Sequence, residues 1–267
     1  MKVVLDGREY DVDPAAAIDI SIPMRFDGPQ PNAYGVEHAT SAACEYGSLV
    51  GDTRRGGSCN FERVTLIPHC NGTHTECVGH ITDERVSVRK CLEDVFVRAV
   101  LVSVEPTPAS NDLVIASRGL ADAVSELRVA LTDVRATDTI PTALIVRTLP
   151  NDGSKLSRVY DEKNMPPYLA GDAMAYIVEC GFTHLLVDLP SIDRLYDNGK
   201  LANHRTFWNV EPGSHAIDER TRVNSTITEL IYVPDDVPDG VYLLNLQIPA
   251  WDSDAGPSRP ILFAVNG

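Results

Sequence analysis

The sequence has no long apolar run. Its longest hydrophobic stretches fall far short of the ~20 residues that a bilayer-spanning helix needs, so a membrane-embedded protein is not expected. It is poor in positive charge, with 23 Lys and Arg against 38 Asp and Glu and a formal net charge of −15. Such a surface repels phosphate backbones and anionic lipid, which excludes nucleic acid and membrane surfaces as expected partners. An anionic substrate would have to meet a local positive charge, and a bound cation supplies one. No internal repeat, low-complexity tract, long charge run or Gly/Ser linker divides the 267 residues, so one domain over 1–267 is expected. The opening Met-Lys-Val-Val-Leu-Asp-Gly has one basic side chain and a very short apolar run. That does not fit a secretory leader, and the cytoplasm is the expected compartment. The six cysteines, at 44, 59, 70, 77, 91 and 180, then read as thiols or metal ligands rather than a disulfide framework.

What is present is an ordinary globular composition, 43% hydrophobic and 23% charged. Residues 3–5 and 10–12 read as an opening hairpin, and 18–23 as a strand entering the body. Residues 29–57 are rich in Gly, Pro, Asn and Ser and read as a long surface excursion of the kind that forms lids or oligomer contacts. Strands are expected over 63–68, 95–104, 143–147, 184–188 and 261–265. Leu120, Val124, Leu127 and Leu131 recur at helical spacing after Ser117, a candidate N-cap. A second helix is expected over 170–180, with Met174, Ile177 and Val178 inward and Gly181 as its stop. Residues 226–233 and 240–248 read as paired strands joined by the Pro/Asp-rich turn between them. Strands with a few helices among them imply an α/β fold with mixed pairing.

The chemistry concentrates in residues 69–80, where three histidines, two cysteines and one glutamate fall within twelve positions. Imidazole, thiolate and carboxylate are the usual ligands of zinc and its neighbours. Around a turn allowed by Gly72, Cys70, His74 and Glu76 can converge on one ion, with His80 at the mouth of the site as a proton carrier. A catalytic cation with an open position lowers the pKa of water and polarises a carbonyl, and a near-neutral imidazole relays the proton to a leaving nitrogen. Cys70 reads equally as a ligand or as a small buried hydrophobe. His69, next to Cys70, is expected to point the other way in a structural role, and Cys77 to pack. Trp208, Tyr34 and Phe26 read as packing residues, with an aromatic substrate wall as the other role open to them.

Gly72-Thr-His74-x-Glu76-x-x-x-His80 resembles the signature His-x-Gly-Thr-His-x-Asp-x-Pro-x-His of the cyclase family, which includes bacterial kynurenine formamidase and isatin hydrolase. The resemblance continues in order through residues 19–23, Asp188-Leu-Pro-Ser-Ile-Asp193, Asn203-His204, Glu229-Leu230 and Asp254-Ala-Gly-Pro-Ser-Arg259. It implies a compact swivelling β/β/α fold around a mixed, barrel-like sheet with a few flanking helices, in dimers or tetramers. It implies an arylformamidase-like hydrolase of a small-molecule amide, N-formyl or lactam bond, using zinc or manganese. Carried over residue by residue, His74, Glu76, His204 and Glu229 would hold metal, Glu76 standing where the family has Asp and able to bridge two ions, with Cys70 where the family has its first His and His80 as general acid/base. Cys70, Glu76 and Val78 depart from the pattern; a thiolate favours zinc over manganese. The alternatives are a member that keeps the fold without the chemistry, and an interaction protein with a closed structural zinc site of Cys70, His74, Cys77 and His80.

Overall fold

The computed structural model describes residues 1–5, 7–132 and 142–265. Its backbone is a nine-stranded mixed sheet. The order across it is Ala255–Pro257, His74–Glu76, Thr226–Glu229, His184–Val187, Ala143–Thr148, Phe96–Val104, Gly240–Asn245, Ile261–Ala264 and Ile18–Asp19. Phe96–Val104 is the longest strand and lies inside the sheet, parallel to Ala143–Thr148 and antiparallel to Gly240–Asn245. Its sequence, rich in Val and nearly continuous in apolar residues, suits a strand covered on both faces.

Alternation along that strand feeds two separate cores. Val100, Val102 and Val104 pack with Leu120 and Val124 of the helix Ser117–Thr132 and with Ala173, Met174 and Ile177 of the helix Gly171–Glu179. Val97, Ala99 and Leu101 pack on the opposite face with Ala143, Ile145, Leu186, Leu244 and Leu262, which come from other strands of the same sheet. A sheet that fills one face with its own side chains must curl, and this is the barrel-like geometry that the sequence resemblance implied. Each such buried aliphatic contributes roughly 1.5–3 kcal/mol relative to exposure.

Several expectations change in detail. The opening hairpin forms as Lys2–Leu5 with Arg8–Asp11. Val178 is only partly buried, while Gly181 ends its helix at φ 81° as expected. Ser117 opens its helix and donates its hydroxyl to Asp172; the side chain of Leu131 lies outside the described residues. The supposed hairpin of 226–233 and 240–248 does not form. Thr226–Glu229 is buried along its whole length and pairs with His184–Val187 and His74–Glu76. Leu230 adopts a left-handed φ of 54°, the chain leaves the sheet there, and Gly240–Asn245 rejoins it on the far side of Phe96–Val104. Residues 29–57 are not wholly superficial. Gln30, Asn32, Ala33 and Ala39 are buried, whereas Thr40–Ala43 pairs with Glu62–Thr65 in an exposed ribbon.

Candidate metal centre

The strand His74–Glu76 is the second of the sheet, held between Thr226–Glu229 and Ala255–Pro257. His74 and Glu76 are two apart on a strand and so share a face. His74 lies directly opposite Glu229, and Asp254 immediately precedes Ala255, the residue opposite Glu76. Cys77 N–H donates to the Asp254 carbonyl at 3.0 Å, which fixes that end of the strand pair. Gly72 does not turn; it is extended, and a side chain there would come within 2.8 Å of Met24 Cε. Gly79 has no such latitude, because a Cβ would lie 2.2 Å from the Val86 carbonyl oxygen.

His204 enters on the helix Ala202–Trp208, directed by Asp193. Asp193 Oδ1 accepts from Asn203 N–H at 2.8 Å, and Oδ2 accepts from His204 N–H at 3.2 Å and from His204 Nδ1 at 2.6 Å. Burial pushes the Asp193 carboxyl up, but His204 and these backbone donors outweigh it and hold the group below its usual range. His204 therefore carries its proton on Nδ1 and turns Nε2 toward Glu76 Oε1 at 3.0 Å and Glu229 Oε1 at 3.8 Å. The Gly72 carbonyl acts in the same way on His74. It can only accept, at 3.0 Å from Nδ1, so His74 Nε2 bears a lone pair. That nitrogen has no hydrogen-bond partner and faces Glu229 Oε2 at 3.5 Å.

The Nε2 atoms of two imidazoles thus face two buried carboxylates, an arrangement that would be repulsive with bare lone pairs and calls for a positive charge between them. A proton answers part of it: burial opposes a charge on His204, yet Glu76, Asp193 and Glu229 push its pKa well above the usual value. A divalent cation answers all of it, and the N/O donor set suits one. Glu76 Oε2, also buried without a hydrogen-bond partner, points to the other side of the cluster. There His80 Nδ1 lies 3.9 Å from it and 3.5 Å from Asp254 Oδ2. Glu76, His80 and His204 can place one donor atom each within a single coordination shell, as can His69, His80 and Asp254.

The fold brings together His74, Glu76, His80, His204 and Glu229. It also brings in three residues to which the sequence assigned no part in the site, His69, Asp254 and Asp193. His69, expected to face away, turns its Nε2 to within 3.3 Å of Glu76 Oε2 and 3.2 Å of Asp254 Oδ2. Asp193 and Asp254 lie in the family-like segments 188–193 and 254–259, and that position and their acidic character were the signals of a role. Cys70 lies in an apolar cluster with Ile22, Ala33, Tyr160, Leu195 and Leu230, where burial and the Glu229 charge push its thiol up to about 11. Cys77 packs in a different cluster, with Val88 and Cys91. The four-ligand closed site of the alternative reading would need both thiols in one place. Trp208 is buried, donates Nε1 to the Ser225 carbonyl and sets its ring 5.4 Å from that of His204; Tyr34 stands edge-on to Tyr196. The site is deep at one end and open at the other: the His74 side chain is 0% exposed, His80 28% and Asp254 21%. A cleft of about 840 Å³, lined among others by Ala175, Arg205, Glu211 and His215, includes none of the clustered donors. No described helix is long and apolar enough to cross a membrane.

A curled mixed sheet with a His/carboxylate cluster toward one edge defines an α/β protein with a candidate cation site. The Cyclase family profile matches residues 18–194, and the chain belongs to that family. Solved structures share the fold. One described as a potential metal-dependent hydrolase with cyclase activity is 15% identical, with 94% of this chain and 98% of that one covered and a TM-score of 0.60. Isatin hydrolase A from Labrenzia aggregata bound to benzyl benzoate is 12% identical, with 94% of each chain covered and a TM-score of 0.61. An isatin hydrolase bound to the product analogue thioisatinate is 13% identical, covering 94% and 93%, with a TM-score of 0.60. No curated protein matches the sequence.

Proposed function

We propose that the protein is a metal-dependent hydrolase of an amide, N-formyl or lactam bond in a small molecule. The observation that carries this reading is the pair of buried imidazoles, each fixed in its tautomer from behind, with lone pairs directed at Glu229 and Glu76. His74, His204, Glu76 and Glu229 would hold the cation, zinc or manganese. Such an ion supplies Lewis acidity and lowers the pKa of water to about 7.

The remaining steps belong to the chain's own side chains. Asp193 and the Gly72 carbonyl hold a proton on Nδ1 of each ring, so that Nε2 is the nitrogen each would offer to the cation. The apolar packing behind the site, including Trp208, keeps bulk water from its deep end. His80 directs Nδ1 toward Asp254 and Glu76, which leaves Nε2 as the nitrogen that takes a proton from the attacking water and returns it to the departing amine. The partly exposed His80–Asp254 side is the route for substrate. The resemblance to enzymes of formamides and lactams supports the substrate class.

The test is metal analysis of the purified protein followed by turnover of a panel that includes N-formylkynurenine and isatin. His80→Ala should keep its metal and lose about 10²–10⁴ in kcat. Unchanged turnover in that variant refutes the role of His80. A metal-loaded protein inert toward the whole panel leaves a member that has kept the fold without the chemistry.

A further inference from the structure

The short helix Pro68–Asn71 carries two adjacent side chains able to bind metal, His69 and Cys70. Neighbours on a helix project about 100° apart, so the helix can turn only one of them squarely toward the carboxylates. The thiol goes to the apolar cluster of Ile22, Ala33 and Leu230. The imidazole goes to the charged one. His69 stacks on His80 with ring centroids 4.4 Å apart and planes 26° apart, and stands with its ring centroid 5.3 Å from that of His74. Its Nε2 sits between Glu76 Oε2 at 3.3 Å and Asp254 Oδ2 at 3.2 Å, yet neither contact has hydrogen-bond alignment. Glu76 Oε2 is likewise buried and without a hydrogen-bond partner. Donor atoms around a tetrahedral ion with bonds of ~2.0–2.1 Å stand about 3.4 Å apart, close to both separations.

We propose that His69 Nε2 and Asp254 Oδ2, with Glu76 Oε2 between the two halves of the site, are cation ligands at its outer end, and that Cys70 is a packing residue that never touches the metal. The idea rests on the metal reading above and extends it. Glu76 then joins a deep set, His74, His204 and Glu229, to an outer set that opens toward solvent. The donor set is wholly nitrogen and oxygen. It therefore lacks the soft sulfur that would bias the site against manganese.

Cobalt(II) tests this without reference to activity. Chelator-stripped protein is titrated with cobalt, and the visible and near-ultraviolet spectra are recorded with the affinity. Wild-type protein should show no sulfur-to-cobalt charge-transfer band, and Cys70→Ser should reproduce its spectrum and affinity. His69→Ala should change the visible ligand-field bands and weaken binding by at least roughly tenfold. Asp254→Asn, which conserves shape and so guards against misfolding, should do the same. A charge-transfer band that vanishes in Cys70→Ser overturns the proposal, as does cobalt binding unaltered in both His69→Ala and Asp254→Asn. Wild-type protein that takes up no cobalt defeats the metal reading itself and the proposal with it.

Discussion

Asp193→Asn isolates the control that the fold exerts on His204. The wild-type carboxylate meets only donors: Asn203 N–H on one oxygen, His204 N–H and Nδ1–H on the other. An asparagine of the same shape presents one acceptor and one NH₂ group. If its oxygen faces His204, the NH₂ opposes Asn203 N–H and leaves a buried donor unmet, at a cost of about 1–3 kcal/mol. If the NH₂ faces His204, the ring must accept at Nδ1 and move its proton to Nε2, the nitrogen directed at Glu76. Either arrangement weakens His204 as the proposed ligand. Loss of such an orienting partner lowers metal affinity by about 10–100-fold, equivalent to roughly 1.4–2.7 kcal/mol. Zinc affinity measured by competition with a chromophoric chelator reads this directly. Thermal unfolding of the stripped variant reads the structural part, at about 2–4 °C per kcal/mol for a chain of this order. Affinity unchanged within twofold would refute the argument that Asp193 sets the tautomer of a ligand.

Removing both His204 and Glu229 as alanine variants should abolish stoichiometric metal binding; full retention by atomic emission would place the metal elsewhere. Lys155 is buried and donates to Asp188 Oδ2 at 2.7 Å, to the Thr148 carbonyl at 2.6 Å and to Asn151 Oδ1 at 3.1 Å. Burial pushes Asp188 up even with Lys155 beside it, so Lys155→Met strands a desolvated carboxylate and should cost about 3–5 kcal/mol in urea unfolding. A loss below ~1 kcal/mol would show that the pair is not what holds this loop. Stripped protein should also lose stability with rising pH. Burial lowers the His69 pKa, but the Asp254 and Glu76 carboxylates outweigh it and push it up to about 10. His204 is raised as well. A raised imidazole stabilises the fold fully below its unfolded value near 6.5 and loses that contribution as pH climbs through the folded value. The melting temperature of chelated protein should fall between pH 6.5 and about 10, and a flat profile would contradict it.

Local pattern was enough for much of the scaffold. The valine-rich run at 95–104 and the helical spacing after Ser117 appear where expected, because burial on two faces and amphipathic periodicity are written in neighbouring residues. His74, Glu76 and His80 were legible for the same reason: close spacing and unusual density of donors in one short segment. The remainder depends on partners more than a hundred residues away. Turn-forming residues at 234–239 suggested a hairpin, since turn chemistry reports how a chain can bend and not which strand edges await it. The choice between His69 and Cys70 is made by the rotation of one short helix against the rest of the fold, which their adjacency in sequence leaves open. Asp193, Glu229 and Asp254 acquire their places only when the sheet sets Thr226–Glu229 and Ala255–Pro257 on either side of His74–Glu76 and the helix bearing His204 docks behind. Sequence alone supplied the donors and the strands that carry them; strand register and helix docking decided which donors share a space, because those pairings are settled by burial across the whole chain.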